Sequence, residues 1–192
     1  MGNIWIVTKR EFASFFATPV AYVFIAIFLM LSGIFTFFIG NLYERGQADL
    51  IPFFNFHPWL YLFLVPAIAM RSWAEERKSG SIELLMTLPI SVAEAVLGKF
   101  IAAWLVLGLA LALTFPLWLS VDFLGEPDHG IIVAAYIGSW LMAGAFLAIS
   151  TCMSAFTRNQ VVAFILAVVV CFLFVVSGSS IVLDAFQPWA GN

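Results

Sequence analysis

The stretch RSWAEERKSGSIELLMTLPIS, residues 71–91, separates two long apolar runs and carries six charged residues. Its first half predicts a helix, because Arg71 and Glu75 are four residues apart and can pair along one side. A break is predicted at residues 79–81, followed by an apolar patch at residues 82–86. Because an apolar patch outside a membrane needs cover, the stretch is a candidate docking surface for a soluble partner. The alternative is a solvated loop without a partner.

The composition indicates an integral membrane protein. Of the 192 residues, 64% are hydrophobic and 10% are charged, whereas soluble domains carry about 25% charged residues. A helix needs roughly 20 apolar residues to cross a bilayer, and the apolar runs here are continuous instead of alternating. The predicted fold class is therefore all-α, a polytopic membrane helix bundle.

The apolar runs predict five membrane spans, and an amphipathic run before them predicts a helix lying in the membrane interface. The interfacial helix is predicted at residues 3–16 and the spans at about residues 19–40, 58–71, 95–120, 131–156 and 161–178. The second span is short for a crossing. We therefore expect its helix to continue into the charged stretch or to be extended by the residues before Pro58.

Three local signals predict helix ends. Thr18 followed by Pro19 is typical of a cap and a first helical turn. Ser91 with Glu94 three residues later predicts a capping box at the start of the third span. Pro116 predicts that this span is bent or broken near its end.

The basic residues predict the orientation in the membrane. If the N-terminus is cytoplasmic, seven of the eight basic residues lie on that side. These seven are Lys9, Arg10, Arg71, Arg77, Lys78, Lys99 and Arg158, and Arg45 lies on the other side. Because basic loop residues favour the cytoplasm, we expect residues 71–91 and the turn at Arg158 to be cytoplasmic.

The charges argue against three classes of function. No Asp, Glu, Lys or Arg lies in the middle of a predicted span, where ion-coupled carriers need such groups. Gly98 and Lys99 lack the first glycine and the Ser or Thr of a phosphate-binding loop. The basic residues form no stripe that would bind nucleic acid. Any energy source is therefore expected in another subunit.

The reactive side chains form no recognisable catalytic set. His57 and His129 lie near the outer ends of spans without an HExxH or paired-carboxylate pattern, so polar residues at the membrane interface are the favoured interpretation. Cys152 and Cys171 lie inside apolar runs, which predicts a packing role. We therefore predict no enzyme activity in this chain and no catalytic, cofactor-binding or metal-binding residue.

The order of these elements resembles a known family. An interfacial helix, a first span and a second span running into EERKSGSIELLMTLPIS, residues 75–91, resemble the permease subunits of ABC-2 type ABC transporters. The gliding-motility and copper-enzyme-maturation branch is especially similar, and the resemblance covers nearly the whole chain. Its specific part consists of Glu75, Glu76, Arg77, Gly80, Glu83, Leu84, Leu85, Leu88 and Pro89.

The resemblance implies a single transmembrane domain over residues 1–192, located in a bacterial inner membrane. It implies an exporter, built as a homodimer or heterodimer of permeases that pairs with cytoplasmic ATPase subunits, which bind the ATP and Mg. The segment 71–91 would be the coupling helix that receives the movement of the ATPase. The implied ATPase contacts are Glu75, Glu76, Arg77, Lys78, Gly80, Glu83, Leu84 and Leu85, with Arg158 as a second, smaller contact.

The chain departs from the family pattern in its number of spans. Members usually have six, with short external helices before the sixth. Residues 177–189 resemble the start of that external element, and no sixth apolar run follows. We therefore expect either that the sequence is part of a longer chain or that a partner completes the bundle. A membrane scaffold that transports nothing is the alternative function.

Overall fold

The computed structural model describes residues 2–87 and 90–178, with the backbone alone described at residues 84–86. The helices in these ranges are α1 (Gly2–Ala17), α2 (Val20–Ile34, continued by a π-helical turn at Phe35–Ile39), α3 (Ile51–Asn55), α4 (His57–Ala69), α5 (Arg71–Ser79), α6 (Ser81–Thr87), α7 (Val92–Ala112), α8 (Phe115–Leu124), α9 (His129–Phe156) and α10 (Gln160–Ser177). No strand occurs in the described ranges, and the all-α prediction is confirmed. The predicted external element at residues 177–189 lies almost wholly outside them.

Four helical stretches of the described chain are long and apolar enough to cross a membrane. They are Val20–Ile39, Val92–Leu124, His129–Phe156 and Gln160–Ser177, and they correspond to the predicted first, third, fourth and fifth spans. The predicted second span does not qualify, because α4 has 13 residues and rises only about 20 Å. The hydrocarbon core is roughly 30 Å thick. The count of five spans is therefore not confirmed.

Helix α4 lies in the core of the bundle. Eight of its 13 residues are buried, including Tyr61, whose hydroxyl lies 2.8 Å from the Ser139 hydroxyl on α9. Helix α3 precedes α4 and α5 follows it, so residues 51–79 form three nearly consecutive helices with breaks at Phe56 and Met70. The expected continuation is thus helical on both sides of α4, but as separate helices and not as one continuous helix. Broken helices are tolerated at membrane depth where protein surrounds them.

Two of the three predicted helix ends are confirmed. The Ser91 hydroxyl accepts from the Glu94 amide at 3.2 Å, and the Glu94 carboxylate accepts from the Ser91 amide at 2.8 Å, which completes the capping box. The third span breaks after Ala112, and α8 begins with Pro116 in its first turn. Proline fits there because the first helical N–H groups have no partner within the helix.

The predicted cap at Thr18 is wrong. Its hydroxyl donates to the carbonyl of Ser14 at 3.2 Å, at the end of α1, and does not cap α2. Pro19 occupies the N-cap position of α2 without a side-chain hydrogen bond. Threonine hydroxyls commonly donate to a carbonyl of the preceding helical turn. Thr18 makes this bond instead of capping α2.

Glycines allow the long helices to approach closely. A Cβ atom on Gly98 of α7 would lie 2.6 Å from Cγ1 of Val7, so α1 lies directly against α7. Between α7 and α9, the Trp104 and Trp140 rings stack with centroids 4.1 Å apart. Each indole N–H donates to the backbone carbonyl of the other tryptophan, at 3.0 and 3.3 Å. The Trp104 ring fits because Gly144 beneath it has no side chain.

Candidate functional site

The charged stretch folds into two short helices joined at Gly80. Helix α5 ends there because Gly80 has a φ of 75°, a left-handed conformation that glycine adopts at little cost. The Ser79 hydroxyl donates to the Glu75 carbonyl at 2.9 Å and lies 3.3 Å from the Glu76 carbonyl, one of the last four that the helix end leaves free. The predicted helix and the predicted break are confirmed. Together, α5 and α6 are called the α5–α6 corner.

Ser154 on α9 holds the start of α5. Its hydroxyl accepts hydrogen bonds from the backbone N–H groups of Trp73 and Ala74, each at 3.1 Å, and donates to the Met70 carbonyl at 2.9 Å. Ser154 is fully buried, so water does not compete for these bonds. The break between α4 and α5 is therefore attached to α9.

Lys99 joins α5 to α1 and α7 from inside the bundle. Its Nζ atom lies 2.7 Å from Oε1 of Glu76 and 3.3 Å from Oε1 of Glu11. It also lies 5.4 Å from the centre of the Trp73 ring, a cation–π distance. The Lys99 side chain is 6% exposed. A buried ammonium group needs such partners, and this one has two carboxylates on two different helices.

The predicted ATPase contacts on α5 and α6 whose side chains the structure describes fall into two groups. Those exposed at the surface are Glu75, Arg77, Lys78, Gly80 and Glu83. Glu76 instead points inward to Lys99, with 20% of its side chain exposed. The side chains of Leu84 and Leu85, and residues 88–89, lie outside what the structure describes. Arg71 and Glu75, expected to pair along α5, form no ion pair within the described residues.

The turn at Arg158 adjoins the α5–α6 corner. Arg158 lines a cavity of about 580 Å³ together with Arg77, Lys78 and Glu83. The turn is held locally, because the side chain of Asn159 accepts from the Val161 amide and caps α10. The two regions predicted as separate contacts therefore form one continuous surface, rich in exposed charge.

The histidines lie away from this surface. His57 is fully buried, with Nδ1 2.8 Å from the Phe53 carbonyl, so the interpretation as an interfacial residue is wrong. His129 is exposed and lies 3.6 Å from Asp122. In the described ranges, no three His, Cys, Asp or Glu side chains are grouped as metal ligands would be.

Sequence comparison identifies the family of this helix bundle. A family model described as ABC-2 family transporter protein matches residues 35–191, most of the chain. No curated protein matches the sequence. The narrower resemblance to the gliding-motility and copper-enzyme-maturation branch stays a prediction. The transmembrane component of this family is generally not catalytic itself and normally works with a cytoplasmic ABC ATPase. The chain belongs to the ABC-2 transporter family and is a multi-pass membrane permease of an ABC transporter.

Proposed function

We propose that this permease exports its substrate with energy from a separate cytoplasmic ATPase subunit that docks on the α5–α6 corner. The ATPase binds the ATP and Mg, and the permease binds neither. The N-terminus, the corner and the Arg158 turn face the cytoplasm of a bacterial cell, across its inner membrane. A second permease subunit, identical or related, completes the pore.

The α5–α6 corner combines exposed charged side chains with buried contacts that attach it to the rest of the bundle, and this combination supports the proposal most directly. Glu75, Arg77 and Lys78 are exposed, and charges of both signs give orientation to a docking partner. The opposite side of α5 is attached to α9 through Ser154 and to α1 and α7 through Lys99. A displacement of the corner by the ATPase would therefore be transmitted to α1, α7 and α9.

Within this proposal, the predicted contacts have two different roles. The ATPase contacts are Glu75, Arg77, Lys78, Gly80, Glu83, Leu84, Leu85 and Arg158. Glu76 transmits movement through its ion pair with Lys99, and any contact it makes with the ATPase uses the exposed edge of its carboxylate. Docking and transmission are therefore separable by mutation.

Charge reversal tests the docking role. The double variant Glu75→Lys with Arg77→Glu keeps the net charge and should reduce co-purification of an ABC ATPase, recognised by its Walker motifs, in mild detergent. The matched control is Arg45→Glu with Asp49→Lys, a partly exposed pair whose Nη2 and Oδ2 atoms lie 3.5 Å apart in the loop after α2, which should leave the complex intact. Equal recovery of the ATPase with both variants would contradict docking at the corner.

ATP turnover distinguishes the transporter from a membrane scaffold. A permease coupled to its ATPase should change the rate of ATP hydrolysis when its substrate or lipid environment changes. A complex that assembles normally but hydrolyses ATP at one rate, with or without the permease, would favour the scaffold.

A further inference from the structure

An apolar groove lies beside the α5–α6 corner, between α5, α7 and α9. Trp73, Val96, Phe100, Ala148 and Cys152 line it, and its volume is about 600 Å³. Along α7 the lining runs from residue 92 to residue 100, a rise of roughly 12 Å. One leaflet of the hydrocarbon core is about 15 Å deep. The groove therefore has the length of most of one leaflet.

A polar cavity adjoins the groove at its charged end. The two cavities share Arg77 and Ile82. The polar cavity adds two further cations, Lys78 and Arg158, and one carboxylate, Glu83. None of these four charged groups forms an ion pair with a described residue. An apolar slot thus leads into a pocket with a net positive charge.

We propose that the groove and the adjoining polar cavity together bind one anionic phospholipid, with an acyl chain along Val96 and Phe100 and the phosphate on Arg77. The planar guanidinium group of arginine binds phosphate oxygens in pairs. Basic pockets between membrane helices on the cytoplasmic side are known to hold anionic head groups. Arg77 lines both cavities, so a single lipid can occupy both, with its acyl chain in the groove and its phosphate in the polar cavity.

The lipid site can be measured without the ATPase, because its residues come from the permease alone. It also bears on docking, since Arg77 belongs to both surfaces. A bound phosphate would fix the outer face of α5 before the ATPase arrives. The charge of the surrounding lipid would then influence how readily the complex forms.

The two cysteines provide a direct test. Cys152 is exposed and lines the groove, whereas Cys171 is buried and serves as an internal control for the fold. The purified chain is placed in nanodiscs of phosphatidylcholine, or of equal parts phosphatidylcholine and phosphatidylglycerol. The rate of Cys152 modification by N-ethylmaleimide is then followed by mass spectrometry. The phosphatidylglycerol should slow modification several-fold.

Two variants show whether Arg77 holds the lipid. Arg77→Gln should abolish the slowing, whereas Lys9→Gln, which removes an exposed positive charge on α1, should retain it. Native mass spectrometry should likewise find phosphatidylglycerol retained by the wild type and by Lys9→Gln, and lost from Arg77→Gln.

Three results would overturn the lipid site. Equal modification rates in the two lipids would mean that no anionic lipid fills the groove. Slowing that persists in Arg77→Gln would reflect the negative surface potential of the nanodisc alone. Slowing that depends on protein concentration and not on lipid charge would mean that a second copy of the chain covers Cys152.

Discussion

The two faces of α5 carry similar residues in different surroundings. The exposed side chains of α5, called its outer face, include Glu75 and Arg77, which make no ion pair with described residues. On the inner face, Trp73 and Ala74 are buried, and Glu76 pairs with Lys99 of α7. Of these two adjacent carboxylates, that of Glu75 is therefore free to bind a partner, whereas that of Glu76 is held in the bundle by Lys99. Contacts from distant helices, and not the local sequence, decide which.

The two faces should respond differently to mutation. A buried charge that loses its partner costs several kcal/mol, because the remaining charge stays out of water. An exposed charge contributes little to stability, because water and salt screen it. Substitutions on the inner face should therefore destabilise the fold. Those on the outer face should affect only the binding of a partner such as the ATPase.

The largest effect is expected from Lys99→Met. This change leaves the carboxylates of Glu11 and Glu76 without their shared ammonium group and should lower the free energy of unfolding by about 3 kcal/mol. Thermal unfolding in detergent measures the loss. Adding Glu76→Gln to this variant should recover part of it, because a stranded charge is removed. A melting temperature equal to that of the wild type would mean that the inner ion pairs contribute nothing.

A smaller loss is expected from Ser154→Ala. The variant leaves two backbone N–H groups and the Met70 carbonyl without their partner, at a cost of about 2 kcal/mol. Hydrogen exchange at the start of α5 should accelerate more than roughly tenfold. The control is Ser150→Ala on the same helix, because the Ser150 hydroxyl donates to the Phe146 carbonyl of its own helix. Equal exchange rates in the two variants would show that Ser154 does not hold the start of α5 to α9.

Gly80→Ala should cost about 1 kcal/mol, because an L side chain strains the left-handed backbone at this corner. Gly138→Ala is the matched control. A Cβ atom there meets nothing within 4 Å and the residue is inside α9, so alanine should be neutral or slightly stabilising. Urea titration of the two variants measures the difference, and a neutral Gly80→Ala would show that the corner does not require its observed backbone.

The smallest effect on stability is expected on the outer face. Glu75→Gln and Arg77→Gln should each change the free energy of unfolding by less than about 0.5 kcal/mol. The same thermal unfolding assay applies, and it provides the baseline for Lys99→Met. A loss comparable to that of Lys99→Met would erase the distinction between the faces.

The helices themselves were predictable from the sequence, because they depend on local patterns. The third span begins at the predicted capping box of Ser91 and Glu94. Helices α9 and α10 match the predicted fourth and fifth spans to within two residues at each end. Gly80 was predictable as a break for the same reason. The length of the second span was harder to predict from the sequence. Helix α4 is buried by protein, so it need not have the length of a helix that faces lipid across the whole membrane.

The inner contacts of α5 could not be predicted from one sequence. Ser154 lies 80 or more residues from the amides that it binds, and no local pattern connects them. Lys99 looks like a basic residue at a membrane boundary, and only the packing of α1 and α5 reveals its burial. A hint was available in Gly98 beside it, because a glycine within a helix often marks a close helix contact.

Site-specific photocrosslinking in the assembled transporter tests ATPase docking at the corner most directly. A photoreactive amino acid replaces Lys78, which is exposed at the end of α5, or Arg45 in the loop after α2. Irradiation of the complex in native membranes should link position 78 to the ABC ATPase and leave position 45 unlinked to it. A crosslink to the ATPase from position 45, or none from position 78 in an intact complex, would contradict docking at the α5–α6 corner.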